Sequence, residues 1–219
     1  DGRWPAKRTL GDAVTVECDL VRDGHEQLRA VVRHRAPGAP AFEEVDMHPL
    51  SIDRWRGDFT PSALGIHVFQ VEAWVDVFAS WRSELERKVA AGQPDLDSEL
   101  AEGAALLDAA SGLRGQDEAV VADAAERLRA GTPDGVRAEA ALAPAVADAM
   151  RRVTARPEKV RGPLREVDVD RERARVGAWY ELFPRSFGGF AGVEAVIPAL
   201  ADLGFDVVYL PPVHPIGLT

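Results

Sequence analysis

Two short apolar runs, 178–183 and 207–210, flank a segment in which Val193, Val196, Ile197, Leu200 and Leu203 recur at helical spacing. A strand that is apolar along nearly its whole length must be covered on both faces. A helix joining two such strands is a crossover, and a crossover makes the strands parallel. Gly204 supplies the stop for that helix. The C-terminal part of the chain is therefore expected to form a βαβ unit of a parallel sheet.

The N-terminal part obeys a different period. Val14, Val16, Cys18 and Leu20 alternate with Thr15, Glu17 and Asp19, which is the pattern of a strand buried on one face. Similar runs occupy 28–35, 55–59 and 66–75, separated by turn-rich pieces such as Arg22-Asp23-Gly24-His25 and Ala36-Pro37-Gly38-Ala39-Pro40. Short strands at this spacing predict an antiparallel β-sandwich of immunoglobulin-like kind.

After Trp81 the composition shifts to Ala, Glu, Arg and Leu, and Leu96, Leu100, Leu107, Val121, Ala124 and Leu128 fall at helical spacing. Gly131 reads as a helix stop, and Thr132-Pro133 as the N-cap and first residue of the next helix. Pro144 opens a further short helix carrying Val146, Met150 and Val153. Such short helices do not persist alone in water and must pack on one another. Strand character returns at 164–169 with Val167 and Val169 on one face, so the helices are expected to be an insertion between two strands of the first sheet system.

Bulk properties narrow the function classes. The chain has 219 residues, 46% of them hydrophobic, enough for a sizeable core without disulfide or metal. A net charge of −10 argues against nucleic acid, which is held by clustered Lys and Arg. Cys18, the single cysteine, reads as a small buried hydrophobe. No apolar run approaches a membrane span and no secretion signal is visible, so a cytoplasmic protein is expected. The chain starts at Asp1 rather than Met, and both ends read as cuts in a longer protein.

The tract Tyr180-Glu181-Leu182-Phe183-Pro184-Arg185-Ser186-Phe187, together with Val207-Val208-Tyr209-Leu210-Pro211-Pro212-Val213-His214-Pro215-Ile216-Gly217, resembles the opening of the α-amylase superfamily barrel, of glycoside hydrolase family 13 type. Further stretches resemble one branch of it, the bacterial α-1,4-glucan:maltose-1-phosphate maltosyltransferases. These are Gly2-Arg3-Trp4-Pro5-Ala6-Lys7, Val71-Glu72-Ala73-Trp74 with Trp81-Arg82, Val169-Asp170-Arg171-Glu172-Arg173-Ala174, and Gly177-Ala178-Trp179-Tyr180-Glu181. The resemblance implies a β-sandwich at 1–81, a helical insert at 82–157, a returning strand and linker at 158–175, and the start of a truncated (β/α)8 barrel at 176–219. It also implies a homodimer built through the sandwich and insert. Two other readings are a branching or debranching enzyme of the same superfamily, and a non-catalytic dimerisation or glycan-binding module.

The implied chemistry is a retaining transfer of maltosyl from maltose 1-phosphate to the non-reducing end of an α-1,4-glucan, with no cofactor. Retention needs a carboxylate nucleophile and a second carboxyl as acid and base, about 5–5.5 Å apart. The resemblance puts those carboxylates after later barrel strands, beyond Thr219, so no catalytic residue is expected in this chain and the chain alone is expected to be inactive. His214 is the one candidate for a contact near the donor sugar, with a structural role between two prolines as the favoured reading. Arg185 and Tyr180 are candidates for support behind the site, Arg185 through a barrel carboxylate and Tyr180, with Glu181, through packing. Trp4, Trp55, Trp74 and Trp81 read mainly as core anchors, with stacking on sugar as the less favoured use. His25, His34, His48 and His67 lack ligand spacing, so no metal is expected. Asp97, Glu99 and Glu102 read as helix-start charges facing solvent.

Overall fold

The computed structural model describes residues 3–214. Gly2, Pro215, Ile216, Gly217 and Thr219, which entered the reading above, lie outside the described residues. The strands of the first part are β1 (Ala6–Thr9), β2 (Val14–Asp19), β3 (Leu28–Arg35), β4 (Glu43–Asp46), β5 (His48–Pro49), β6 (Arg54–Phe59) and β7 (Gly65–Val75). Five helices follow: α1 (Val77–Ala90), α2 (Asp97–Asp108), α3 (Gln116–Arg129), α4 (Asp134–Leu142) and α5 (Pro144–Met150). Then come β8 (Val160–Arg161), β9 (Arg165–Asp170), β10 (Trp179–Glu181), α6 (Phe190–Asp202) and β11 (Val207–Tyr209). The protein is thus mixed α and β, with three sheets and six α-helices among the described residues.

The largest sheet has the order β1-β9-β7-β3-β4, with β8 also paired to β7. The second is β2-β6-β5, and the third is the pair β10-β11. The first two enclose one apolar layer: Val14, Val16 and Phe59 from the small sheet meet Ala30, Val32, Val167 and Val169 from the large one. Period-2 alternation explains which residues meet. Val167 and Val169 are both buried, as their spacing predicts, while Asp168 and Asp170 point away. Cys18 packs half-buried against this layer, and burial pushes its thiol pKa up.

One pair departs from the antiparallel expectation. β1 runs parallel to β9, with Ala6 opposite Val167 and Thr9 opposite Asp170. A parallel neighbour needs a long crossover, and here the entire excursion between β1 and β9 supplies it. Alternation within a strand is blind to the direction of its neighbour.

β9 and β8 lie one after the other along the same edge of β7, with one extra residue between them. Glu72 faces Arg161 and Phe69 faces Arg165, so the register slips by one across Gly162-Pro163-Leu164. Pro163 has no N–H to give to a ladder and sits at this bulge, where none is needed. Gly162 N–H still donates to Val71 O at 2.9 Å.

The first helix begins at Val77, directly off β7, and earlier than the shift in composition after Trp81. Asp76 causes this: its N–H donates to Gln27 O at 2.8 Å and its carboxylate accepts Ala79 N–H at 2.9 Å, an N-cap. Trp81 is therefore a helical residue. Its ring lies against Gly103 of α2, where a Cβ would stand 2.0 Å from a ring carbon, and its Nε1 donates to Glu99 O at 2.8 Å. Leu96, Leu100, Leu107, Val121, Ala124 and Leu128 close the core of the five helices, at the positions the helical spacing selects, together with Leu85 of α1.

Details of the helix ends differ from expectation. Pro133 occupies the N-cap and Asp134 is the first helical residue, because Pro133 O accepts Val136 N–H at 2.9 Å while the Asp134 carboxylate accepts Leu96 N–H at 3.0 Å. The last helix ends at Met150, and Val153 lies beyond it. Asp97 and Glu99 are not simply solvated: Asp97 pairs with Arg137 at 2.5 Å and Glu99 with Lys88 at 2.5 Å, tying neighbouring helices together. Glu102 is exposed.

The segment leaving α5 is fastened to the large sheet by a buried carboxylate. Glu72 is 2% exposed and receives Arg156 at 2.6 Å, Arg161 at 2.5 Å and Arg33 at 3.5 Å. Arg156 also pairs with Glu44 at 2.5 Å and lies 4.4 Å from the centroid of the Trp74 ring, which Arg29 approaches to 5.2 Å. Burial pushes the Glu72 pKa up, but the hydrogen bonds from Arg161 and Arg156 outweigh it and hold the carboxyl below its ordinary value.

Two outcomes follow from these contacts. Gly103→Ala should lower stability by about 1–3 kcal/mol through overpacking against Trp81, although Ala is the better helix former. Gly131→Ala, which meets open space, should change it little; equal denaturation midpoints for both variants would contradict the packing. Glu72→Gln should cost about 2–3 kcal/mol at pH 7, less than a fully buried pair because Arg161 is half exposed. A carboxyl with a depressed folded pKa stabilises above its unfolded value of about 4.3 and loses that contribution as pH falls through the folded value. The gap between wild type and Glu72→Gln should therefore narrow as pH falls below about 4.3, as read from urea midpoints.

Candidate functional site

β10 and β11 are parallel, with Trp179 opposite Val207 and Glu181 opposite Tyr209. The ladder continues at one end through Leu182 N–H to Tyr209 O at 3.1 Å, and at the other through Asp206 N–H to Ala178 O at 2.8 Å. α6 covers one face. Leu182, Val193 and Leu200 are buried there, with Tyr180, Phe205 and Val208 packed around them. Tyr180 meets Phe205 edge-on at 5.0 Å. The opposite face carries Trp179, Glu181 and Tyr209, all exposed.

The loop after β10 is short and tightly held. Pro184–Phe187 form a 3-10 turn, and Gly188 closes it at φ 78° in the left-handed region open to glycine. Gly192 in the first turn of α6 is forced by proximity: a Cβ there would lie 1.6 Å from Phe187 O. Arg185 stands exposed on this turn. His214 is also exposed, past the carboxyl end of β11 and Pro211-Pro212. Arg185 and His214 therefore both follow carboxyl ends of the parallel strands, whereas Tyr180 belongs to the layer under α6.

The linker into this unit is anchored to both neighbours, a feature the sequence pattern did not single out. Arg175 Nε donates to Thr9 Oγ1 at 3.0 Å and its guanidinium pairs with Asp12, on the large-sheet side. Arg173 reaches Asp206, just before β11, at 3.4 Å. The dense arginines of Arg171-Glu172-Arg173-Ala174-Arg175 could have signalled it; a 3-10 turn at Glu172–Ala174 turns Arg173 and Arg175 to different sides.

The aromatic and imidazole candidates divide by burial. Trp74 and Trp81 are core residues, Trp55 is half-buried against the inter-sheet layer, and Trp4 is 77% exposed. His67 is 1% exposed, its Nε2 donating to Ala63 O at 2.8 Å, and His34 stacks on Phe59 at 4.4 Å. His25 and His48 are exposed and apart from these. Among the described residues, no helix is long and apolar enough to cross a membrane.

Residues 1–171 match the family model described as α-1,4-glucan:maltose-1-phosphate maltosyltransferase, domain N/S. A protein of that name from Myxococcus xanthus is 43% identical over 239 aligned residues, covering 100% of this chain and 35% of the relative. One from Chlorobaculum tepidum is 37% identical, covering 100% of this chain and 34% of its own length. One from Mycolicibacterium smegmatis is 37% identical, covering 99% and 37%. The chain thus spans about a third of the length of these curated relatives. With two thirds or more of the chain matched by the family model and all of it by named relatives, the chain belongs to the α-1,4-glucan:maltose-1-phosphate maltosyltransferase family.

Proposed function

We propose that this chain is the N-terminal part of a retaining glycosyltransferase that moves maltosyl units from maltose 1-phosphate to the non-reducing end of an α-1,4-glucan. The observation that carries this reading is the alignment of the whole chain with relatives bearing that name at 37–43% identity. The parallel pair β10-β11 under α6 supports it, since a two-stranded parallel sheet with one bare face is a beginning that further strands must complete. In this reading β10, α6 and β11 open a (β/α)8 barrel, and the loops at Arg185 and His214 form part of the rim of its active site, because such sites lie at the carboxyl ends of the strands. Trp179, Glu181 and Tyr209 then face the barrel interior, and Tyr180 steadies the helix layer behind it.

The two sheets sharing one apolar layer support an immunoglobulin-like sandwich, into which the five helices are inserted as a second unit. The unit boundaries near 81, 157 and 175 are part of this proposal, as are a homodimer through the sandwich and helices and a cytoplasmic location. The chemistry requires two carboxyls about 5–5.5 Å apart around an oxocarbenium-like transition state. Those groups are assigned to the remainder of the longer protein, so this part contributes scaffold and rim.

The test is release of inorganic phosphate from maltose 1-phosphate. The longer protein should release it only when an α-glucan acceptor is present, and the 219-residue chain alone should release none. Glucan cleavage by the longer protein without phosphate release would reject the transferase reading.

A further inference from the structure

Two imidazoles are enclosed in the apolar layer between the two sheets, and the function proposed above uses neither. His34 on β3 is 9% exposed and stacks on Phe59 of β6 with ring centroids 4.4 Å apart. Its cross-strand partner on β7 is Phe69, two residues along from His67 and on the same face, so the two histidines are diagonal neighbours. His67 is buried deeper, at 1% exposure. Its tautomer is fixed by Ala63 O, because a carbonyl only accepts and Nε2 must therefore carry the proton. Nδ1 is left as a bare acceptor, buried with no hydrogen-bond partner among the described residues.

A second proton is costly at this place. On Nδ1 of His67 it would create a buried N–H without an acceptor and a charge within an apolar layer. The surrounding elements offer little compensation. Glu43, opposite His34 on β4, faces the pair but is itself exposed. β2 contributes Val14 and Val16, and β6 presents Phe59 while Asp58 turns outward to Arg56 and Thr15. β9 presents Val167 opposite His67, while Asp168 reaches Lys7 on the outer side. Arg8, level with Val169, and Arg165, level with Phe69, add positive charge on the inner side. The loop 60–64 that holds His67 through Ala63 has no charged residue. Burial accordingly pushes the His34 pKa below its ordinary value; Glu43 opposes this and His67 adds to it.

We propose that His34 and His67 form an acid-sensitive latch between the two sheets: neutral, they hold the layer closed, and protonated, they weaken it. Their position gives the latch a consequence. His67 lies opposite Val167, close to the end of β9 at Asp170, where the linker to the C-terminal unit begins. Arg175 of that linker is footed on Thr9 and Asp12 at the same end of the sheet. Acid weakening of the layer thus reaches the support of the βαβ unit. The sign follows from the neutral fold. Histidine in the unfolded chain titrates near about 6.5, so below that pH the unfolded chain binds more protons and stability falls.

Urea unfolding of the 219-residue chain at about pH 7.5 and about pH 5.5 tests this, a range in which ordinary carboxyls stay ionised. A histidine kept neutral in the fold raises the unfolding constant about tenfold between these conditions, and two raise it about a hundredfold. The wild type should show a rise of at least about tenfold. His34→Phe, which keeps a ring stacked on Phe59, and His67→Gln, whose amide can still donate to Ala63 O, should each reduce that rise. His25→Gln, at an exposed turn, should leave it as it is. An unfolding constant that does not rise in the wild type, or a rise undiminished in both variants, overturns the proposal. If His67→Gln does not fold, His34→Phe decides: an undiminished rise in it overturns the latch.

Discussion

The fold depends on the placement of one strand. β9 lies between β1 and β7, so the large sheet cannot close until the chain has completed its helical excursion and come back. Val167 and Val169 on this strand are almost fully buried in the layer between the two sheets. Each contributes roughly 1.5–3 kcal/mol by burial, and each does so only if β9 is in register. A slip of one residue would turn Asp168 and Asp170 into the core. The sheet is completed across a contact of long sequence separation, which slows folding.

The excursion is held at both ends by polar groups whose partners lie on the sheet. At its start, Asp76 caps α1 while bonding to Gln27 beside β3. At its end, Arg156 and Arg161 converge on Glu72. A buried carboxylate is costly by itself, and it is retained here with three guanidinium partners. We read it as a device for orientation more than for net stability.

Much of the architecture was legible where a period was strong. The alternation in β2 and around Val167, the helical spacing of Leu100, Leu107 and Leu128, and the βαβ pattern near the C-terminus each correspond to an observed element. Direction and partner choice were not legible, because alternation carries no record of which strand lies beside it and β1, Ala6-Lys7-Arg8-Thr9, has no apolar alternation at all. The Glu72 cluster was hidden for a related reason. Its members are separated in sequence by the whole helical excursion, and a single Glu in an alternating strand reads as a solvent-facing residue. Of the candidate residues, Arg185 and His214 follow the carboxyl ends of β10 and β11, and Tyr180 falls under α6 because its neighbours Leu182 and Val208 are the apolar face.

The C-terminal unit differs in kind from the rest. Its parallel pair leaves Trp179, Phe183 and Tyr209 exposed, so it is held by few buried contacts of its own. β9 should therefore open only with the whole large sheet, and β10-β11 apart from it. Native-state hydrogen exchange measures both at once. The amides of Val167 and Val169 should exchange only through global opening, with the same free energy as those of Val31 and Val32 in β3, while Tyr180 and Val208 exchange through a local opening of much lower free energy. Exchange of the β9 amides ahead of β3, or protection of Val208 equal to that of Val32, would contradict it.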